Sequence, residues 1–124
     1  MKSDRPFSIQ ARLKSFVYAF EGVMFFIRFE AQATMHLIAI VGVLGAGYWF
    51  KISSMEWIAL VFAIGIVVAA EMLNTAIEKL TDMVSPEFSL KAKVVKDLAA
   101  GAVLMASLVA AVVGLIVFLP RLIE

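Results

Sequence analysis

Residues 57–82 read WIALVFAIGIVVAAEMLNTAIEKLTD. From Trp57 to Ala70 there is no Asp, Glu, Lys or Arg, and then Glu71, Asn74, Glu78, Lys79 and Asp82 arrive within twelve residues. On a helix Glu71, Asn74, Thr75, Glu78 and Asp82 recur at i, i+3, i+4, i+7 and i+11, so they share one wedge roughly 100° wide. Met72, Leu73, Ala76, Ile77 and Leu80 keep the opposite side apolar. An ionised carboxylate inside hydrocarbon costs about 2.5–3.5 kcal/mol or more unless it is partnered, so an apolar helix that turns acidic on one face marks a site.

Working outward, two further stretches lack Asp, Glu, Lys and Arg, namely Ala31 to Phe50 and Leu98 to Pro120. The chain has 124 residues, 63% hydrophobic and only 17% charged, which excludes an ordinary soluble domain. Each stretch reaches the roughly 20 residues that cross a bilayer, the middle one if its helix begins between Ile52 and Glu56. The reading is an all-α membrane protein, with an N-terminal amphipathic interfacial helix followed by three transmembrane helices. It forms a single membrane domain over residues 1–124. Three spans enclose little volume, so association of subunits is expected. With no Cys there is neither disulfide nor thiolate chemistry, and with one His a structural zinc site is not expected. A net charge of +1 gives no field to draw in nucleic acid. Arg12 and Lys14 interrupt any early apolar run, so no cleavable signal peptide is expected.

In chain order, the polar start at Met1 to Pro6 leads into a surface helix over 7–29. There Leu13, Phe16, Val17, Phe20, Val23, Met24 and Ile27 share one side, and Lys14, Glu21 and Arg28 lie off it. Such a helix lies in the membrane interface. Glu30 marks the hand-over to a span over 33–50, with His36 one turn in and Tyr48, Trp49 and Trp57 as an aromatic belt at the far end. Gly42, Gly45 and Gly47 lack the strand–turn–helix context of a phosphate loop and indicate close helix packing. Ser53 and Glu56 have capping-box spacing, so the next helix runs over 54–84, stopping before Ser85-Pro86. Glu71 then lies 17 residues in, about 26 Å at 1.5 Å per residue, near the exit of a hydrocarbon layer about 30 Å thick. Glu87 to Lys93 is a polar link overlapping the start of a last helix over 90–119, which ends at Pro120. Ala102, Ala106, Ala110 and Gly114 give that helix a small residue every four, a packing seam. Basic residues concentrate before the first span (Lys2, Arg5, Arg12, Lys14, Arg28) and after the second (Lys79, Lys91, Lys93, Lys96). The positive-inside rule puts the N-terminus and the acidic stretch in the cytoplasm and the C-terminus outside.

Carboxylates, an amide and lysines at such a boundary suit a divalent metal and phosphate, since Mg²⁺ takes one or two carboxylates, substrate phosphates and waters. There is no G-x-x-x-x-G-K-[ST] loop, so any nucleotide site is built differently. The run Glu71-Met-Leu-Asn74-Thr75-Ala76-Ile77-Glu78-Lys-Leu-Thr-Asp82 closely resembles the signature of the prokaryotic diacylglycerol kinase and undecaprenol kinase family. Lys96-Asp97-Leu-Ala-Ala-Gly101-Ala102-Val103 is similar to its second block, and Ala19-Phe-Glu-Gly22 and Glu30 extend the match. The resemblance implies a homotrimer with sites shared between subunits in a bacterial plasma membrane. It implies ATP- and Mg²⁺-dependent phosphorylation of the primary hydroxyl of a membrane lipid alcohol. By position, Glu71 is then the general base, Glu30 and Glu78 hold metal, and Asn74 supports them. The nucleotide contacts are Tyr18, Glu30, Asn74, Glu78, Asp82, Glu87, Lys96 and Asp97, with a phosphate contact from Arg12 or Lys14. One branch of the family reads E-x-N-x-R-I-H where this chain has Glu30-Ala-Gln32-Ala-Thr34-Met-His36, so a basic residue is lost at Thr34. Thr75, Ser85-Pro86 and Gly101 look more like the undecaprenol branch than the diacylglycerol one. The rival from another class is a small ion- or proton-conducting subunit built around Glu71; such a group belongs deep in the bilayer and without a cluster beside it.

Overall fold

The computed structural model describes residues 6–124; Lys2 and Arg5, counted above in the charge asymmetry, lie outside the described residues. Four helices follow one another: α1 Ile9–Phe29, α2 Ala31–Trp49, α3 Ser54–Val84 and α4 Leu90–Leu122. The described residues contain no strand. The last three helices are each long and apolar enough to cross a membrane. The chain divides into two compact units, Met1–Ala39 and Ile40–Glu124.

In the first unit, Ser8 caps α1 by accepting a hydrogen bond from the Ala11 backbone N–H at 3.4 Å, so the helix starts at Ile9 rather than at 7. Leu13, Phe16, Val17 and Phe20 are all exposed, and Phe26 is the buried residue of this helix. Glu30 breaks the helix in an extended conformation (φ −99°, ψ 119°), its N–H donating to Phe26 O. Its own carbonyl accepts from Ala33 N, so α2 begins at Ala31, two residues earlier than the sequence reading.

In the second unit the capping box is formed in full. The Ser53 hydroxyl accepts from the Glu56 N–H, while the Glu56 carboxylate accepts from the Ser53 N–H at 3.0 Å. Beside it Ile52, Leu60 and Val117 form a buried cluster, covered by Val43, Phe50, Trp57, Val113 and Phe118. α3 and α4 pack along one another. At this end Arg121 reaches the Glu56 carboxylate with both nitrogens, at 2.6 and 2.7 Å.

Two sequence readings are corrected. α4 opens at Leu90, where Ser89 accepts from Ala92 N at 3.0 Å, so the polar link is shorter than Glu87 to Lys93. It also runs through Pro120 to Leu122. Proline removes a single N–H from the ladder, and the last turn is held by Arg121 Nη1 donating to Val117 O and by Ile123 N donating to Leu119 O. The buried positions of α4 are Ala99, Ala106 and Val117; of the stripe of every fourth residue, Ala106 is buried, Ala110 and Gly114 are half-buried and Ala102 is exposed. A four-residue step overshoots a full turn by about 40°, whereas a seven-residue step falls about 20° short of two turns, so only the latter keeps facing a neighbouring helix. Leu60, Asn74 and Thr81, all buried on α3, are likewise multiples of seven apart.

Candidate active site

α3 builds the site because its polar residues are inward and its apolar ones outward. Glu71 is 6% exposed and Asn74 7%, whereas Leu73 and Leu80 on the other side are 65% and 59% exposed. A soluble helix shows the reverse. The outer face is apolar, as a helix in lipid requires, and the inner face shelters a carboxylate and an amide. One turn further on, Glu78 and Asp82 are exposed. Glu71 and Glu78 are one heptad apart, about 10.5 Å along the axis.

Asn74 lies on the same face between the two carboxylates and bonds to the second. Its Nδ2 donates to Glu78 Oε1 at 3.3 Å. The amide must turn its nitrogen to the carboxylate, since a carbonyl there would meet like charge. That leaves Asn74 Oδ1 buried with no hydrogen-bond partner among the described residues. An orphaned buried carbonyl costs about 1–3 kcal/mol, and such groups gather where a ligand supplies the missing partner. Thr81, also buried, satisfies itself by donating to Ile77 O at 2.7 Å.

The charged groups beyond the apolar part of α3 are brought together in part. Lys96 on α4 pairs with Asp82 on α3 at 2.5 Å, across fourteen residues of chain. Asp97 is instead taken by Lys93 one turn earlier, also at 2.5 Å, a pairing that the sequence reading did not include although its i,i+4 spacing was visible. Glu87 lies in the turn between α3 and α4, where its carbonyl accepts from the Ser85 hydroxyl. Arg12, Lys14 and Tyr18 are exposed on α1, with the Arg12 guanidinium 5.4 Å from the centre of the Phe7 ring. Glu30, half-buried, is the extended residue between α1 and α2.

A metal is tested by the donor set. Asn74 Oδ1 and the Glu78 carboxylate offer oxygen alone, the ligand type Mg²⁺ takes. Among the described residues no three His or acidic groups gather closely enough to hold an ion. One or two carboxylates suffice where substrate phosphates and water complete the shell, so the donors fit a nucleotide-borne Mg²⁺.

A membrane-crossing helix that buries a carboxylate and an amide on its protein side, with charged groups one turn beyond, defines a small integral membrane protein with a polar site near a lipid–water boundary. The model of the family described as prokaryotic diacylglycerol kinase matches residues 17–118. The chain belongs to this family of lipid kinases. It is 38% identical over 109 residues to an undecaprenol kinase of Bacillus subtilis (strain 168), covering 88% of this chain and 89% of that one. It is 34% identical over 113 residues to a diacylglycerol kinase of Synechocystis sp. (strain ATCC 27184 / PCC 6803 / Kazusa), covering 90% of this chain and 65% of that protein's length.

Proposed function

We propose that this chain transfers the γ-phosphoryl group of ATP to the primary hydroxyl of a polyprenol, undecaprenol in preference to diacylglycerol. The observation that carries the reading is the run Glu71, Asn74 and Glu78 along one face of α3, the first two buried and the third exposed and bonded to Asn74. A lipid alcohol stays at the membrane boundary while a nucleotide arrives from water, so the buried carboxylate suits the alcohol and the exposed one the nucleotide.

In this mechanism Glu71 accepts the proton of the lipid hydroxyl as that oxygen forms its bond to the γ-phosphorus. The bond from the γ-phosphorus to the β,γ-bridging oxygen breaks, and ADP leaves with the bonding pair. Glu30 and Glu78 are the residues that would hold Mg²⁺, which would neutralise phosphate charge. Asn74 fixes the Glu78 carboxylate through Nδ2 and offers Oδ1 as a further oxygen. Lys96 exchanges Asp82 for a phosphate oxygen, as a point charge can. Tyr18, Glu87, Asp97 and either Arg12 or Lys14 complete the nucleotide contacts. The assembly is a homotrimer with sites shared between subunits, in the bacterial plasma membrane, the acidic end of α3 facing the cytoplasm.

The test is transfer of labelled phosphate from ATP by purified protein in detergent. A short-chain prenol and a short-chain diacylglycerol are compared, with and without Mg²⁺. Faster labelling of the prenol, dependent on Mg²⁺ and lost in Glu71→Gln, is expected. Faster labelling of diacylglycerol would reverse the substrate assignment, and labelling of neither would remove the kinase reading.

A further inference from the structure

At the end of α3 remote from Glu71, a pocket of about 470 Å³ is lined by Gly47, Tyr48, Trp49, Lys51 and Trp57. It lies where α2 ends and α3 begins, some 26 Å along α3 from the acidic face, so it is separate from the phosphoryl-transfer site. The turn closing α2 has the paired hydrogen bonds of a Schellman motif, Ile52 N to Gly47 O and Lys51 N to Tyr48 O. Lys51 occupies its left-handed position with φ 51°, the single positive φ outside glycine among the described residues. Glycine or asparagine is the usual occupant there, because a Cβ is strained. Lysine at that position points to a use for its charge.

That charge has no partner among the described residues. Lys51 is exposed and makes no ion pair among the described residues. Arg121, the other cation at this end, is occupied by Glu56. Around Lys51 the walls are aromatic, with Tyr48 84% and Trp49 80% exposed. The Trp57 ring lies so close over Gly47 that an added Cβ would sit 2.7 Å from it. Aromatic rings with a polar edge sit at the headgroup level of a bilayer, and a lysine there attracts anionic lipid.

We infer that Gly47, Tyr48, Trp49, Lys51 and Trp57 form a binding site for the phosphate headgroup of an anionic phospholipid, in the leaflet opposite the acidic end of α3. Lys51 supplies the charge for the phosphodiester, the indole N–H and Tyr48 hydroxyl supply donors at headgroup depth, and the ring faces line the glycerol and upper acyl chains. The apolar walls select a lipid over a free phosphate ion.

Both tryptophans of the chain lie in this collar, so their emission reports on it directly. The experiment reconstitutes the full chain in vesicles containing brominated phosphatidylglycerol or brominated phosphatidylcholine and measures tryptophan quenching. Phosphatidylglycerol should half-quench at a mole fraction roughly fivefold lower at low salt, the scale expected of one lysine at an anionic surface. That preference should shrink at high salt, vanish in Lys51→Gly and persist in Lys51→Arg. Glycine suits the left-handed backbone, so Lys51→Gly should melt no lower than the parent, and loss of lipid preference cannot then be attributed to misfolding. Equal quenching by the two lipids in the parent chain, or an undiminished preference in Lys51→Gly, would overturn the site. So would relief of the phosphatidylglycerol quenching by millimolar inorganic phosphate at constant ionic strength.

Discussion

Asn74 carries the greatest tension at the residue scale. Its Oδ1 is buried and unpartnered while its Nδ2 holds Glu78. Replacing it by leucine removes an orphaned acceptor worth about 1–3 kcal/mol and one hydrogen bond worth about 0.5–1.5 kcal/mol. Asn74→Leu should therefore raise the unfolding midpoint in detergent slightly, while phosphate transfer falls by a factor of 10² or more, on the order of a lost positioning group. A simultaneous drop in both would mean that the amide is structural. Glu71 and Glu78 should separate in kinetics. Glu71→Gln should lower kcat by about 10²–10⁴, the usual range for a general base, with Mg·ATP affinity unchanged within a few-fold. Glu78→Gln and Glu30→Gln should weaken Mg·ATP binding and recover in part at high Mg²⁺. If Glu71→Gln abolished nucleotide binding and Glu78→Gln spared it, the roles along α3 would be reversed.

The junction of α2 with α3 depends on a close approach that a methyl group would spoil. At Gly47 a Cβ would meet Trp57 at 2.7 Å and Ile52 at 3.1 Å, while at Gly42 and Gly45 it would meet nothing within 4 Å among the described residues beyond its own helix backbone and chain neighbours. Gly47→Ala should cost about 1–3 kcal/mol through overpacking. Gly42→Ala should gain up to about 1 kcal/mol from helix propensity unless a neighbouring subunit uses the same face; thermal melts of both variants decide. The pair α3–α4 is closed at that end by Glu56 and Arg121, side chains 25% and 26% exposed. Glu56→Gln preserves the oxygen that caps Ser53 but loses the bidentate ion pair, and should lower the melting midpoint. Arg121→Lys should recover little, because an ammonium cannot match the planar fork. An unchanged midpoint in Glu56→Gln would assign the stabilisation to the cap alone.

At the scale of the whole molecule the site is expected to be shared between copies, since the described residues of one chain do not gather a set of metal ligands. Mixed oligomers of inactive Glu71→Gln and inactive Glu78→Gln subunits should regain activity wherever the two intact groups meet. Verified mixtures that stay silent would put each complete site within one chain. The orientation has its own check. A single Cys placed between residues 84 and 92 should react with an impermeant thiol reagent only from the cytoplasmic side, and labelling from outside intact cells would reverse the topology.

Three spans, the capping box at Ser53 and the polar stripe on α3 were all legible in the residues, because bilayer thickness, helix period and cap chemistry are local constraints. The signature around Glu71 likewise fixed the family, matching residues 17–118. What the sequence could not reach depends on distance through space. Glu56 and Arg121 are 65 residues apart and bond only because α3 and α4 run antiparallel at matched lengths. Which small residues of α4 are covered within the chain also needed the fold: Ala99 and Ala106 are buried, Ala110 and Gly114 half-buried and Ala102 exposed. Lys96 pairs with Asp82 because the packing of α3 against α4 brought that carboxylate within reach, whereas the Lys93–Asp97 pair is local to α4. The local period gave each helix its faces, and only the pairing of helices decided which face became the inside.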